Sequence, residues 1–298
     1  MIRRRMTRGL DLLLGVSGDE RATELDPELT TQRANARNNA RFQELRLDRW
    51  RATRDAMWAL LGPRITEDVR MLIVGAGNGD DLPLVRIAEQ AGEVLLVDID
   101  PDAAERALAR LPAQTQGRVE FLELDVTGGG AQEIVGAITA GREPPSRVDL
   151  PTDAIAGGGF DVVLADMLFT QLLQPSLVQL GLSGADQVQL MRRFDGPLTE
   201  ALVQRLQRSA AADGVVMHVH DVACWSRSHP QPMELAAALD DPDRSWGRLR
   251  RHDACDPQLA LERLGVRVLE RAWWQWPFEP NKQFLVRGTI AEPGLPRD

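Results

Sequence analysis

The chain has 298 residues, 43% hydrophobic and 27% charged, enough for one large domain or two small ones with a substantial core. A net charge of −9 disfavours nucleic acid as a partner, and no apolar run is long enough to span a bilayer. The absence of tyrosine excludes a tyrosine base and the nicotinamide reductases that use one. Cys224 and Cys255 are too few for a disulfide framework or a structural zinc site, so a reducing cytoplasm is expected.

Charge is distributed unevenly. Residues 1–60 hold 12 arginines against 9 acidic side chains, and Lys282 is the only lysine of the chain, a bias that points to a GC-rich bacterial source. The start, "MIRRRMTRGLDLLLG", places arginines before leucines as a signal peptide does. Asp11 interrupts the apolar run and no small-residue cleavage site follows, so export is not expected. Residues 1–30 read as a polar arm or short helices. Residues 35–61 contain strong helix formers without Gly or Pro, with Phe42, Leu45, Ala56, Met57 and Leu60 on one face, Trp50 at its margin, and Arg49 and Thr53 as flaws in the stripe. Gly62-Pro63 ends this helix, which defines an N-terminal helical extension or lid over residues 1–62, ahead of a main domain over 63–298.

Strands and helices then alternate. Strands are predicted at 69–75, 93–100, 118–126, 160–168 and 214–222, with helices at 82–92, 101–111 and 197–211. Residues 128–159 read as a helix plus a surface excursion, and residues 266–290 as two strands joined directly by a turn. Such alternation predicts an α/β fold with a parallel sheet covered on both faces and a hairpin at one edge.

The first strand runs into "GAGNGDD". Glycines there let backbone approach a ligand, and ligands of open parallel sheets bind beyond the carboxyl ends of the strands. The spacing is Gly75-Ala76-Gly77-Asn78-Gly79 followed by Asp80 and Asp81, not the G-x-G-x-x-G of a dinucleotide site. Two carboxylates at a helix start would repel a pyrophosphate and suit a cationic or neutral ligand.

With "VDID" ending the second strand, "LELD" the third and "FDVVLAD" the fourth, the chain over roughly 65–291 resembles the class I S-adenosylmethionine-dependent methyltransferases. The resemblance implies a seven-stranded Rossmann-like sheet with an antiparallel last strand, and S-adenosyl-L-methionine as cofactor. It also implies binding of that donor by residues 75–81, by Asp98 (on the ribose hydroxyls) with Ile99 beside it, by Asp125 (on the adenine amino group) with Val126, and by Asp166 at the exit of the fourth strand. The implied reaction is methyl transfer to O or N of a small-molecule or peptide acceptor.

Candidate catalytic residues are His220, Asp166 and Asp221. His218 and His220 share one face of a strand, and His220 and Asp221 sit at its expected carboxyl end, where a histidine can take a proton. The competing use is structural. A metal bound by His218, His220 and Asp221 lacks a further ligand cluster, and none is expected. Asp125 can equally be a turn residue, Asp100 an N-cap, and Trp273, Trp274 and Trp276 sheet packing. Two other functions stay open: an NAD(P)-dependent oxidoreductase, and a non-catalytic interaction protein that keeps the fold. No nucleic-acid or membrane partner is expected, and a homodimer is left open.

Overall fold

The computed structural model describes residues 30–40, 43–227, 229–251 and 253–294. Among the described residues three helices come first: α1 (Thr31–Asn39), α2 (Gln43–Arg49) and α3 (Arg51–Leu61). The single helix expected over 35–61 is therefore corrected, and Phe42 lies outside the described residues. Trp50 leaves helical geometry at φ −93° and ψ 11°. Its indole N–H donates toward the carbonyls of Pro277 (3.2 Å) and Phe278 (3.3 Å), and its ring meets Trp276 edge-on at 5.1 Å. Seating one tryptophan on the sheet outweighs the helix preference of the segment.

The sheet domain follows in the order β1 (Arg70–Val74), α4 (Leu84–Gln90), β2 (Glu93–Asp98), α5 (Pro101–Ala109), α6 (Ala113–Gln116), β3 (Val119–Glu123), α7 (Gly130–Thr139) and β4 (Phe160–Asp166). It continues with α8 (Gln174–Gln179), α9 (Gly184–Ser209), β5 (Ala210–Ser226), α10 (Leu235–Asp240), α11 (Pro242–Ser245), α12 (Pro257–Arg263), β6 (Val268–Glu279) and β7 (Lys282–Ala291). Strand order is β3-β2-β1-β4-β5-β7-β6. β7 runs antiparallel to both its neighbours, and the other pairings are parallel. The expected α/β sheet of seven strands with a reversed last strand is what the chain forms. No helix among the described residues is long and apolar enough to cross a membrane.

Two elements exceed their sequence bounds. α9 starts well before the predicted residue 197 and carries Pro197 inside it, because Phe194, Leu198, Leu202 and Leu206 form one buried face that spans the proline. β5 runs on to Ser226, where the sequence pattern ends the strand at 222, because β7 pairs with it as far as Ser226↔Lys282.

β1 shows how the core divides. Leu72 and Val74 face the layer built with α7, α8 and α9, while Met71 and Ile73 face the layer that holds Met57, Leu60, Ile87 and Ala107. α3 thus shares a core with the sheet, and it rests on β7 at Gly288. A Cβ on Gly288 would lie 2.7 Å from Leu60 Cδ2 and from ring carbons of Trp274. Gly288→Ala is expected to destabilise the protein by about 1–3 kcal/mol through overpacking. Urea unfolding reads this as a lower midpoint, and an unchanged midpoint would mean that α3 is not seated as described.

Candidate functional site

The sheet order reverses between β1 and β4, and the crevice beyond their carboxyl ends is where a ligand of such a sheet binds. The glycine turn forms its floor. Gly75 donates its N–H to Val97 O (2.9 Å) at φ +81°, and a Cβ there would stand 2.7 Å from Leu168 Cβ and 2.9 Å from Asp166 O. Only glycine lets the end of β1 lie this close to the exit of β4. Gly77, at φ +46°, donates its N–H to Asp98 Oδ2 (2.7 Å), while Asp98 Oδ1 accepts from the Asp100 N–H (2.9 Å). Burial pushes the Asp98 carboxyl up, and these backbone N–H groups offset only part of that rise. Gly79 closes the turn by donating to Ala76 O (2.8 Å).

The polar residues of the turn divide sharply. Asn78 is tied on both ends: its Nδ2 donates to Asn39 O (2.8 Å) and its Oδ1 accepts from Arg106 Nε (2.9 Å). Asp80 is buried with its carboxylate between Arg110 (2.5 Å) and Arg46 (3.6 Å), and Arg110 also bonds Asn78 O. Asp81 is acted on by Arg46 and Arg54 as nearby charges. Its carboxyl meets that of Asp166, which is only 2% exposed. Burial raises Asp81 to about 6, and burial together with Asp81 raises Asp166 well above the carboxylate range. Burial and the like charge of its neighbour both disfavour ionisation of Asp166.

The other expected binding residues are close by. Asp125 accepts at Oδ1 from Thr127 N (2.8 Å) and Thr127 Oγ1 (2.7 Å), and at Oδ2 from Gly129 N (3.0 Å), so its carboxylate organises its own turn. Ile99, Asp125 and Val126 nevertheless line the same cavity as Gly75, Ala76, Gly77, Asn78, Asp80, Asp81, Asp98 and Asp166. Asp100 caps α5, as expected, by accepting from Ala103 N (3.3 Å).

That cavity lies beyond the carboxyl ends of the strands and is open to solvent. α1 forms part of its lining through Asn35, Asn38 and Asn39, and Arg46, Trp50, Trp276 and Phe278 form a wall. The sequence offers the N-terminal segment as a lid but singles out none of these side chains for the cavity, and the aromatic run of β6 reads there as sheet packing, because the group's members come from opposite ends of the chain. Trp274 and Trp276 are indeed 5% exposed, but Trp276 also reaches the cavity.

The expected placement of His220 and Asp221 beside the acceptor is corrected. They do not line the cavity. β5 continues past them, so His220 lies mid-strand opposite Arg287 of β7 rather than at a strand end. Both are buried, His220 Nδ1 stands 3.7 Å from Asp221 Oδ1, and Asp221 Oδ1 accepts from Thr170 Oγ1 (3.1 Å). Phe169 packs against both His218 and His220, at 5.8 Å and 6.2 Å between ring centroids. Among the described residues no group of three His, Cys, Asp or Glu is placed to hold a metal.

The strand order with its single reversed strand, the glycine turn after β1 and the held carboxylate after β2 define a class: the chain has the fold of the class I S-adenosylmethionine-dependent methyltransferases. Over 72 residues the chain is 35% identical to magnesium-protoporphyrin O-methyltransferase of Rhodobacter capsulatus, covering 24% of this chain and 32% of that protein. The match thus spans about a third of the length of this relative. No protein-family model matches the chain. Among solved structures, N-methyltransferase NodS from Bradyrhizobium japonicum WM9, in complex with S-adenosyl-L-homocysteine, is 13% identical, with 89% of this chain and 100% of that one covered and a TM-score of 0.48. A SAM-dependent methyltransferase from Aquifex aeolicus is 15% identical, with 90% and 98% covered and a TM-score of 0.43.

His218 supplies a test of this packing. Burial, with the Arg287 guanidinium near, lowers its pKa from 6.5 to about 3. Between those values the unfolded chain binds a proton that the folded one refuses, so stability falls as pH falls, by about 1.4 kcal/mol per unit. Asp81, raised to about 6, pulls the opposite way in part of that window. The comparison of His218→Leu with the parent isolates the histidine: the variant is expected to lose much less stability between neutral pH and pH near 4. Parallel curves of melting temperature against pH would show that His218 is solvated.

Proposed function

We propose that the protein is a methyltransferase that uses S-adenosyl-L-methionine to methylate O or N of a small-molecule or peptide acceptor. The observation that carries this reading is Asp98, whose carboxylate is oriented by the Gly77 and Asp100 N–H groups at the mouth of a glycine-floored cavity. Each carboxylate oxygen keeps lone-pair capacity after accepting one N–H, which suits the two hydroxyls of a ribose.

The residues fit the donor group by group. Gly75 and Gly77 line the cavity floor, and Ile99 and Val126 offer apolar surface for an adenine. Asp125 is an adenine contact only through the capacity its turn leaves free. When bound, the donor supplies an electrophilic methyl on a sulfonium. The chain's own part is to align the acceptor and keep water out, and α1, with its asparagines facing the cavity, serves as the cover. Asp166, which lines the cavity at the exit of β4, is the candidate for moving a proton. The oxidoreductase alternative loses support because Asp81 and Asp166, rather than a free helix N-terminus, lie beside the turn.

S-adenosylhomocysteine is expected to raise the melting temperature by mass action, and NAD and NADP to leave it unchanged. A shift with NAD alone would replace this reading with the oxidoreductase one. Asp98→Ala should weaken S-adenosylhomocysteine binding by about 1–3 kcal/mol, the range for hydrogen bonds to a charged group, with the fold retained. Unchanged affinity by calorimetry would remove Asp98 from the binding set.

A further inference from the structure

β5 overhangs the strand beside it. The last pair between β4 and β5 is Asp166↔Val219, and β5 continues from there to Ser226 along β7. The register of β5 against β7 shifts between Asp221 and Ala223, so Val222 is an extra residue just beyond the end of β4. A bulge re-aims the side chains around it. Here Asp221 Oδ1 accepts a hydrogen bond from Thr170 Oγ1 (3.1 Å), and both residues are buried.

Thr170 belongs to the short 3₁₀ turn Phe169–Gln171 that follows β4. This turn has two faces. Leu168, Gln171 and Leu172 have the i, i+3, i+4 spacing of one helical face, and all three line the cavity. Phe169 and Thr170 take the other face. Phe169 packs on the rings of His218 and His220, and Thr170 bonds Asp221. The two attachments differ in kind. Apolar packing is non-directional and tolerates rotation of the turn, whereas a hydrogen bond fixes a direction. Rotation would be felt at the cavity floor, because Leu168 Cβ stands 2.7 Å from where a Cβ of Gly75 would lie.

We propose that Asp221 is a positioning residue for ligand binding: through Thr170 it holds the 168–172 wall of the cavity where the donor requires it, without touching the ligand. The run His218-Val219-His220-Asp221 then serves the cavity at one remove. Val219 O accepts from Met167 N (3.2 Å), the two histidines seat Phe169, and Asp221 orients the turn. The choice of donor as the ligand rests on the methyltransferase reading, and the hold of Asp221 on the wall does not.

Thr170→Val removes the hydroxyl and keeps the branched shape of the side chain, and Thr170→Ser restores the hydroxyl. Two readouts separate positioning from stability. The first needs no ligand. The methyl resonance of isotope-labelled Met167, a cavity-lining residue beside the turn, is identified by its absence from Met167→Leu. It is expected to move in Thr170→Val and to keep its place in Thr170→Ser. The second is the dissociation constant of S-adenosylhomocysteine, measured by calorimetry well below the melting temperature of each protein. It is expected to rise about fivefold in Thr170→Val, the equivalent of one net hydrogen bond, and to stay near the parent value in Thr170→Ser. In the Thr170→Val protein, Asp221→Leu is expected to weaken binding no further, because the bond that both residues serve is already gone. Additive losses would overturn the pairing, and if Asp221→Leu does not fold, the two Thr170 variants decide. Parental affinity in Thr170→Val, whatever its melting temperature, would reduce the bond to a stability role and overturn the proposal. Failure of the parent protein to bind S-adenosylhomocysteine would overturn the methyltransferase reading instead, and the Met167 resonance would then decide whether Asp221 holds the wall.

Discussion

The missing side chain of Gly75 is the constraint on which the rest of the site depends. With Leu168 Cβ and Asp166 O less than 3 Å from where a Cβ would stand, the end of β1 and the exit of β4 close to a distance no other residue allows. That closeness brings the exit of β4, with Asp166, against the turn that carries Asp81. It is matched on the β4 side by Met167, a non-glycine residue at φ +48°, whose N–H donates to Val219 O (3.2 Å) and whose carbonyl accepts from Gln171 Nε2 (3.0 Å). A left-handed methionine costs on the order of 1–3 kcal/mol and persists only where its surroundings hold it. Here the hydrogen bonds on both sides of the peptide do so.

Charge then sorts the acidic residues of the cavity. Asp80 and Asp81 are adjacent and chemically identical, yet one is neutralised by two arginines and the other faces a second carboxyl. Asp98 and Asp125 are held by backbone N–H groups, which orient a carboxylate without cancelling its charge. The cavity is therefore negative by construction in some places and polar but balanced in others, and the difference lies in which arginines the turn can reach. Arg106 and Arg110 come from the end of α5 and Arg46 from α2, so the helices around the turn decide which carboxylate remains available.

Much of the fold was legible because the buried strands are short, uniformly apolar and separated by turn residues. Met71, Leu72, Ile73 and Val74 are all buried, which a parallel strand covered on both faces requires. The glycine turn and Asp98 were legible for the same reason: they are consecutive, and backbone geometry dictates their residue types. The ends of long elements were not. Nothing local tells that β5 outlasts Asp221, because its continuation depends on β7, more than fifty residues later in the chain, lying alongside it. His220 was misplaced by that alone. The cavity wall was illegible on the same ground. Asn39, Trp50 and Trp276 meet only after the sheet has assembled, and an asparagine-rich helix has no periodic pattern to announce it.

α1 differs from every other layer in what attaches it. Ala34 and Thr31 are its buried residues, and its anchors are hydrogen bonds: Thr31 N to Gln132 Oε1, Gln32 Nε2 to Ile99 O, Asn39 Nδ2 to Asp100 Oδ2, and Gln179 Nε2 to Ala34 O. Water can replace each of these at a net loss of only about 1 kcal/mol, whereas parting an apolar seam exposes area that water does not compensate. The helix over the cavity can therefore detach while the sheet beneath keeps its packing. Local opening and global unfolding are then separate events with separate energies. Substitutions at these amide contacts act on the seating of α1 and leave the cavity floor at Gly75 and Asp98 unchanged.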